Sequence, residues 1–245
     1  MDSFYISLAF GSAAAGANVV GGLLVTIKQR WDEVLLKYFV ALGAGFMLGA
    51  AFLGMVPESM RLTDRAPLLI LAGYLLIHFA EHILASHFHF GEETHVEAVL
   101  APSASLFALV GLLIHTFFDG VSIASGFHVS MGLGFLIFVA VALHKIPEGF
   151  TVGSIMLAAG RSRGMAMASS IALGFSTMVG VIFASYFQGL LGYRLALSAG
   201  VMIYVAASDL MPEVNREKGF LMALMVFVGV LLFYLTEWLL SSFGF

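Results

Sequence analysis

The sequence predicts an all-α, polytopic membrane protein. Eight transmembrane helices are expected, arranged as an inverted repeat of helices one to three and six to eight with helices four and five between. Composition sets the class. Of 245 residues, 60% are hydrophobic and 11% charged, with a mean hydropathy of +1.01. A soluble domain is about a quarter charged and under half apolar. Run length sets the secondary structure. The apolar stretches are long and continuous, matching the ~20 residues a helix needs to cross a bilayer, whereas barrel strands are shorter and alternate. Only helices and closed barrels satisfy backbone polar groups in lipid. Internal similarity sets the arrangement, as described below. Net charge is −4 with no long basic run, so nucleic acid is excluded as a partner. The absence of Cys removes disulfides, thiolate ligands and Cys nucleophiles.

Taken in order, the stretches cover roughly 4–27, 35–56, 67–85, 104–127, 131–159, 165–190, 195–211 and 219–242. The first follows Met1-Asp2-Ser3 without a basic flank and is expected to be a retained span rather than a cleaved signal. The fifth is long enough to tilt or kink, and the seventh is short. Together they form a single transmembrane transporter domain, 1–245, of three, two and three helices. Residues 86–103 are expected to be a cytoplasmic His-rich loop. Lys28, Arg30, Lys37, Arg161, Arg163, Arg216 and Lys218 fall on one side, against Arg61, Arg65 and Arg194 on the other. By the positive-inside rule the richer side is cytoplasmic and both termini lie outside it. The loop between helices three and four then lies inside although it carries no Lys or Arg. The expected location is the plasma (inner) membrane, with lipid as the surroundings.

Residues 41–58 and 196–213 are alike at a constant offset of 155. Ala41, Leu42, Ala44, Gly45, Met47, Ala51, Pro57 and Glu58 recur as Ala196, Leu197, Ala199, Gly200, Met202, Ala206, Pro212 and Glu213. The segments fall on the second and seventh spans, which cross in opposite directions. This is the mark of an inverted repeat, a device of secondary transporters.

Two spans carry ionisable residues near their middles. The fourth reads His115-Thr116-Phe117-Phe118-Asp119-Gly120 and the fifth His144-Lys145-Ile146-Pro147-Glu148-Gly149. Both His-carboxylate pairs are four apart, hence on one helix face. A charge at mid-bilayer costs ~2.5–3.5 kcal/mol on insertion scales, so such groups point to function. Imidazole with carboxylate suits a divalent first-row metal, and two carboxylates supply the compensating charge. Pro147 lacks an N–H and should free the carbonyl of Leu143. Lys145 could pair with Asp119 or Glu148 and fill the space of a second cation.

These two motifs, His115-x-x-x-Asp119-Gly120 and His144-Lys145-x-Pro147-Glu148-Gly149, resemble the paired signatures of the ZIP (Zrt/Irt-like protein) metal transporters. The resemblance implies import of a divalent transition metal into the cytoplasm, typically Zn²⁺, and often a homodimer. It puts His115, Asp119, His144 and Glu148 on metal-site positions, and Met47 on that of a methionine lining the same site in some members. Thr116 stands where many members have Asn, and Lys145 where many have an acidic or amide residue. The sixth span offers no carboxylate, only Ser170, Ser176 and Thr177. A mononuclear site is therefore expected. Cd²⁺, Mn²⁺ and Fe²⁺ also fit this donor set.

Segment 78–97 holds His78, Glu81, His82, His87, His89, Glu92, Glu93, His95 and Glu97, a pattern suited to weak transient metal binding. Asn18 is expected to make an interhelical hydrogen bond. Glu58 and Glu213 suit either gate-mouth carboxylates or pairs with Arg61 and Arg216. An intramembrane metal-dependent hydrolase is the alternative function, but no HExxH motif is present and the repeat has no purpose in it. A proton-linked carrier using His and carboxylate relays is a third reading.

Overall fold

The structure, a computed structural model, describes residues 3–27, 33–84, 102–216 and 219–242. They form an all-helical bundle. Helix α1 is Ser3–Ile27 and α2 begins as Glu33–Gly49. The latter continues through a π-helical segment, Ala50–Met55, into Val56–Leu62. Helices α3 (Ala66–Leu84), α4 (Pro102–Val129), α5 (Met131–Ala158) and α6 (Arg163–Tyr186) follow. Helix α7 is Leu191–Tyr204, continued by a second π-helical segment, Val205–Leu210, and by Met211–Arg216. Helix α8 is Phe220–Ser242. Among the described residues seven helices are long and apolar enough to cross a membrane, and α3 contributes a shorter apolar helix. Ser130 and Ser162 cap α5 and α6 by accepting from Leu133 and Met165 backbone N–H groups, which stops the chain from fraying at those turns.

Two spans run further than expected. The second and seventh apolar stretches end at 56 and 211, just before Pro57 and Pro212, yet α2 extends to Leu62 and α7 to Arg216. The reason is local. A proline removes one backbone donor and crowds the carbonyl four residues back. In both helices a π-helical segment precedes it and absorbs the mismatch, so the helix resumes instead of stopping. The short seventh span is thus corrected to a long one. Both π segments begin and end 155 residues apart, 50 against 205 and 55 against 210. That is the offset of the sequence similarity.

Helices pack as close pairs through small residues. A Cβ on Gly21 or Gly149 would strike the backbone of the facing helix, which brings α1 against α5. Gly120 and Gly180 do the same for α4 and α6, Gly45 and Gly229 for α2 and α8, and Gly73 and Gly200 for α3 and α7. Helix association in lipid relies on such van der Waals fit because no water is expelled. Helices α1, α4, α5 and α6 make one group, while α2 and α8 pair, as do α3 and α7. The main apolar core lies where these meet. It includes Met47 and Ala51 of α2, Ile137, Ala140 and Val141 of α5, and Leu195, Ala199 and Met202 of α7. Outer faces expose large apolar side chains such as Phe175 and Phe227, as a lipid-facing surface does.

Candidate metal centre

Helix α4 presents His115 and Asp119 one turn apart, and α5 presents His144, Lys145 and Glu148. All five are at least nine-tenths buried, and Lys145 is wholly so. Gly120 and Gly149 sit next to the two carboxylates and let α6 and α1 close in on the far sides. The two imidazole rings are 5.6 Å apart between centroids.

Their polar atoms converge on Asp119 Oδ2. His115 Nε2 lies 3.2 Å from it and His144 Nε2 3.4 Å. One ligand atom from each of His115, Asp119 and His144 can be chosen so that all lie within 4.8 Å of one another. Ligands held ~2.0–2.1 Å from one tetrahedral ion are themselves about 3.3 Å apart, so the spacing suits a single metal. The imidazole of His144 is also oriented. Its Nδ1 lies 3.1 Å from the Ala140 carbonyl, one turn back. With Nδ1–H donating there, Nε2 presents a lone pair toward a carboxylate oxygen, an arrangement that asks for a cation between them. His115 Nε2 is buried and makes no hydrogen bond, since its approach to Asp119 lacks the alignment.

Lys145 supplies the second half of the site. Its Nζ donates to Glu148 Oε2 at 2.7 Å and pairs with Asp119 Oδ2 at 2.6 Å. Two carboxylates and one ammonium leave a single net negative charge beside the two imidazoles. Asn18 of α1 donates to the same Glu148 Oε2 at 3.1 Å and reaches the Lys145 carbonyl at 3.3 Å. The interhelical hydrogen bond expected of Asn18 is therefore made, and it holds the carboxylate of the site. Glu148 Oε1 remains buried and unpartnered.

Met47 is buried in the apolar core that also holds Ala140 and Val141, the turn preceding His144. Three groups of α6 serve packing: Ser170 donates to the Gly149 carbonyl, Ser176 to that of Leu113, and Thr177 to that of Leu173. Each crosses to, or stays beside, the helices bearing the site, and none joins its carboxylates. Thr116 donates to the Leu113 carbonyl at 3.1 Å. Glu58 pairs with the exposed Arg61 at 2.8 Å, the bland alternative of the two expected. His128 Nδ1 bonds to the Ala124 carbonyl at 2.6 Å. His87, His89, His95, Glu92, Glu93 and Glu97 lie outside the described residues.

A second polar cluster joins α3 to α7, and the sequence reading passed over its tyrosines. Tyr204 donates to Glu81 Oε2 at 2.9 Å, and Tyr74 and Ser208 are 3.2 Å apart through their hydroxyls. The rings of Tyr74 and Tyr204 meet edge to face at 5.0 Å, and His78 lies 6.0 Å from Tyr204. Asp209 is buried on the π-helical segment, within electrostatic reach of Glu81, Glu148 and His115. A signal existed: Tyr74, His78 and Glu81 recur at four and three residues, one face of α3.

Residues 93–237 match the family model described as ZIP Zinc transporter. Zinc transporter ZIP9 of Xenopus tropicalis is 25% identical over 268 residues, which takes in 88% of this chain and 87% of that protein. An Arabidopsis thaliana protein bearing a zinc-transporter name is 27% identical over 217 residues, 85% of this chain but 34% of its own length. Zinc transporter SLC39A7 of Mus musculus is 30% identical over 130 residues, 49% of this chain and 27% of its own. The chain therefore spans most of the frog protein and about a third or less of the other two.

Proposed function

We propose that this chain, which belongs to the ZIP zinc transporter family, carries Zn²⁺ or a similar divalent ion across the membrane into the cytoplasm through the cluster on α4 and α5. The observation that carries the reading is the convergence of His115, His144 and Asp119 within 4.8 Å, buried at mid-helix and flanked by Glu148. Oxygen and imidazole donors of this kind take first-row dications.

Lys145 gives the cycle a second state. Bringing a dication to Asp119 and Glu148 displaces the ammonium from both oxygens. When the metal leaves, the ammonium returns, so the empty carrier does not hold two uncompensated buried carboxylates, each of which would cost several kcal/mol. One dication per site follows, since the displaced ammonium stays tethered beside the centre and repels a second cation. From the centre, Asp209 and the Glu81–Tyr204 pair offer further oxygens toward the end of α3 that leads into the His-rich segment. We assign to this side the release of metal, and Cd²⁺, Mn²⁺ and Fe²⁺ are the other ions the donor set accepts.

Metal uptake into proteoliposomes tests the site. His115→Ala and Glu148→Ala should each reduce uptake by about ten- to a hundredfold, the scale on which loss of a metal ligand's partner acts, while leaving folded protein in the membrane. Uptake at the unmodified rate in both variants would remove the centre from the transport path.

A further inference from the structure

Near the start of α7, a buried charge has no partner among the described residues. Arg194 lies in the first turn of α7 and is 6% exposed. Its Nε and both terminal nitrogens are buried and make no hydrogen bond, and no carboxylate among the described residues pairs with it. The one acidic side chain on the neighbouring end of α2, Glu58, is taken by Arg61. Ser198, one turn further on the same face of α7, is wholly buried with its hydroxyl also unpartnered. Leu190 stands at the capping position and has no side-chain hydrogen bond to give.

These groups point the same way. Helical side chains lean toward the N-terminus, so the Arg194 fork and the Ser198 hydroxyl are directed over the first turn, where the helix carries its positive dipole end. A guanidinium offers parallel N–H donors that match two oxygens of one oxyanion, and charge-assisted pairs of this kind are the strong ones. Burying an unpaired guanidinium in protein surroundings is strongly unfavourable. A Cβ on Gly192 would meet Leu62, so the first turn of α7 is packed onto the end of α2.

We infer that Arg194, Ser198 and the start of α7 form a binding site for a phosphate-type oxyanion. The level of the site, the first turn of a span, is also the level at which lipid phosphates lie, so the oxyanion comes either from a phospholipid headgroup or from free phosphate. It is independent of the metal centre.

The test uses the purified full chain in a non-ionic detergent. Thermal denaturation is followed as inorganic phosphate replaces chloride at constant ionic strength, and separately as phosphatidylglycerol is added. Bound phosphorus is measured in the same samples by mass spectrometry under native conditions. The expected result is a saturable rise in Tm or one retained phosphate group per chain. A response to the salt identifies free phosphate, and a response to, or retained mass of, the lipid alone identifies the headgroup. Arg194→Gln should weaken the response at least about tenfold, as loss of a hydrogen bond to a charged group does. Arg194→Lys should restore only part of it, and metal binding at the α4–α5 centre should be unchanged. Should Arg194→Gln fail to fold, Ser198→Ala and the unmodified chain still decide. No thermal response and no bound phosphorus in the unmodified chain would overturn the site, as would equal responses in the unmodified chain and the foldable variants.

Discussion

Replacing Lys145 by Met keeps the length and apolar stem of the side chain and removes one charge. Its ammonium holds Asp119 at 2.6 Å and Glu148 at 2.7 Å with no exposure at all. Breaking a buried pair by deleting one partner costs about 3–5 kcal/mol. For a chain of this size each kcal/mol moves Tm by about 2–4 °C, so Lys145→Met should melt some 6–20 °C lower in chelator. The sign of the pH effect follows. A proton on either carboxyl replaces the lost charge, so the deficit is greatest at high pH and shrinks as pH falls. Metal should also repair it, because a dication now has both carboxylates to itself. An ion at 1,000 times its Kd contributes about 4.1 kcal/mol, enough to close most of the gap, and bound metal per chain should stay the same or rise. The assay is thermal denaturation in chelator and in Zn²⁺ at two pH values, with elemental analysis of the purified protein. Equal stability of variant and parent in chelator, with equal metal-induced shifts, would refute the view that Lys145 is a resident counter-cation. Two ions tightly bound at the centre of the unmodified chain would refute it as well.

Two further outcomes follow from the same geometry. Metal binding requires neutral imidazole and ionised carboxylate, so protons compete with metal and affinity should weaken as pH falls; isothermal titration giving one affinity from neutral to mildly acidic pH would contradict a centre holding two imidazoles. Gly149→Ala would set a methyl against the Asn18 backbone, an overpacking worth about 1–3 kcal/mol; it should lower Tm and part Asn18 from Glu148, with reduced uptake, and a variant indistinguishable from the parent in both would show that α1 does not brace the site.

Much of this protein could be read from its residues in order. Apolar runs longer than a bilayer needs leave helices as the only continuous choice, and an i,i+4 spacing places His115 with Asp119 and His144 with Glu148 whatever the surrounding fold. The similarity between segments 41–58 and 196–213 anticipated a structural likeness that the two π-helical segments display at the same offset. The second and seventh spans run past their apolar stretches, because whether a helix continues through Pro57 or Pro212 depends on the turn before it, and a π-helical segment is not marked by composition. Sequence spacing speaks only of one helix at a time. That Asp119 of α4 receives both imidazoles, that Lys145 reaches across to it, and that Asn18 of α1 steadies Glu148 are contacts between helices up to 130 positions apart. Tertiary packing alone decides them, since it is the close approach at Gly21, Gly149, Gly120 and Gly180 that sets which faces meet. The same holds for Arg194, which the sequence only counts on the side poorer in Lys and Arg and whose burial without a partner among the described residues arises from how α7 seats among the other helices.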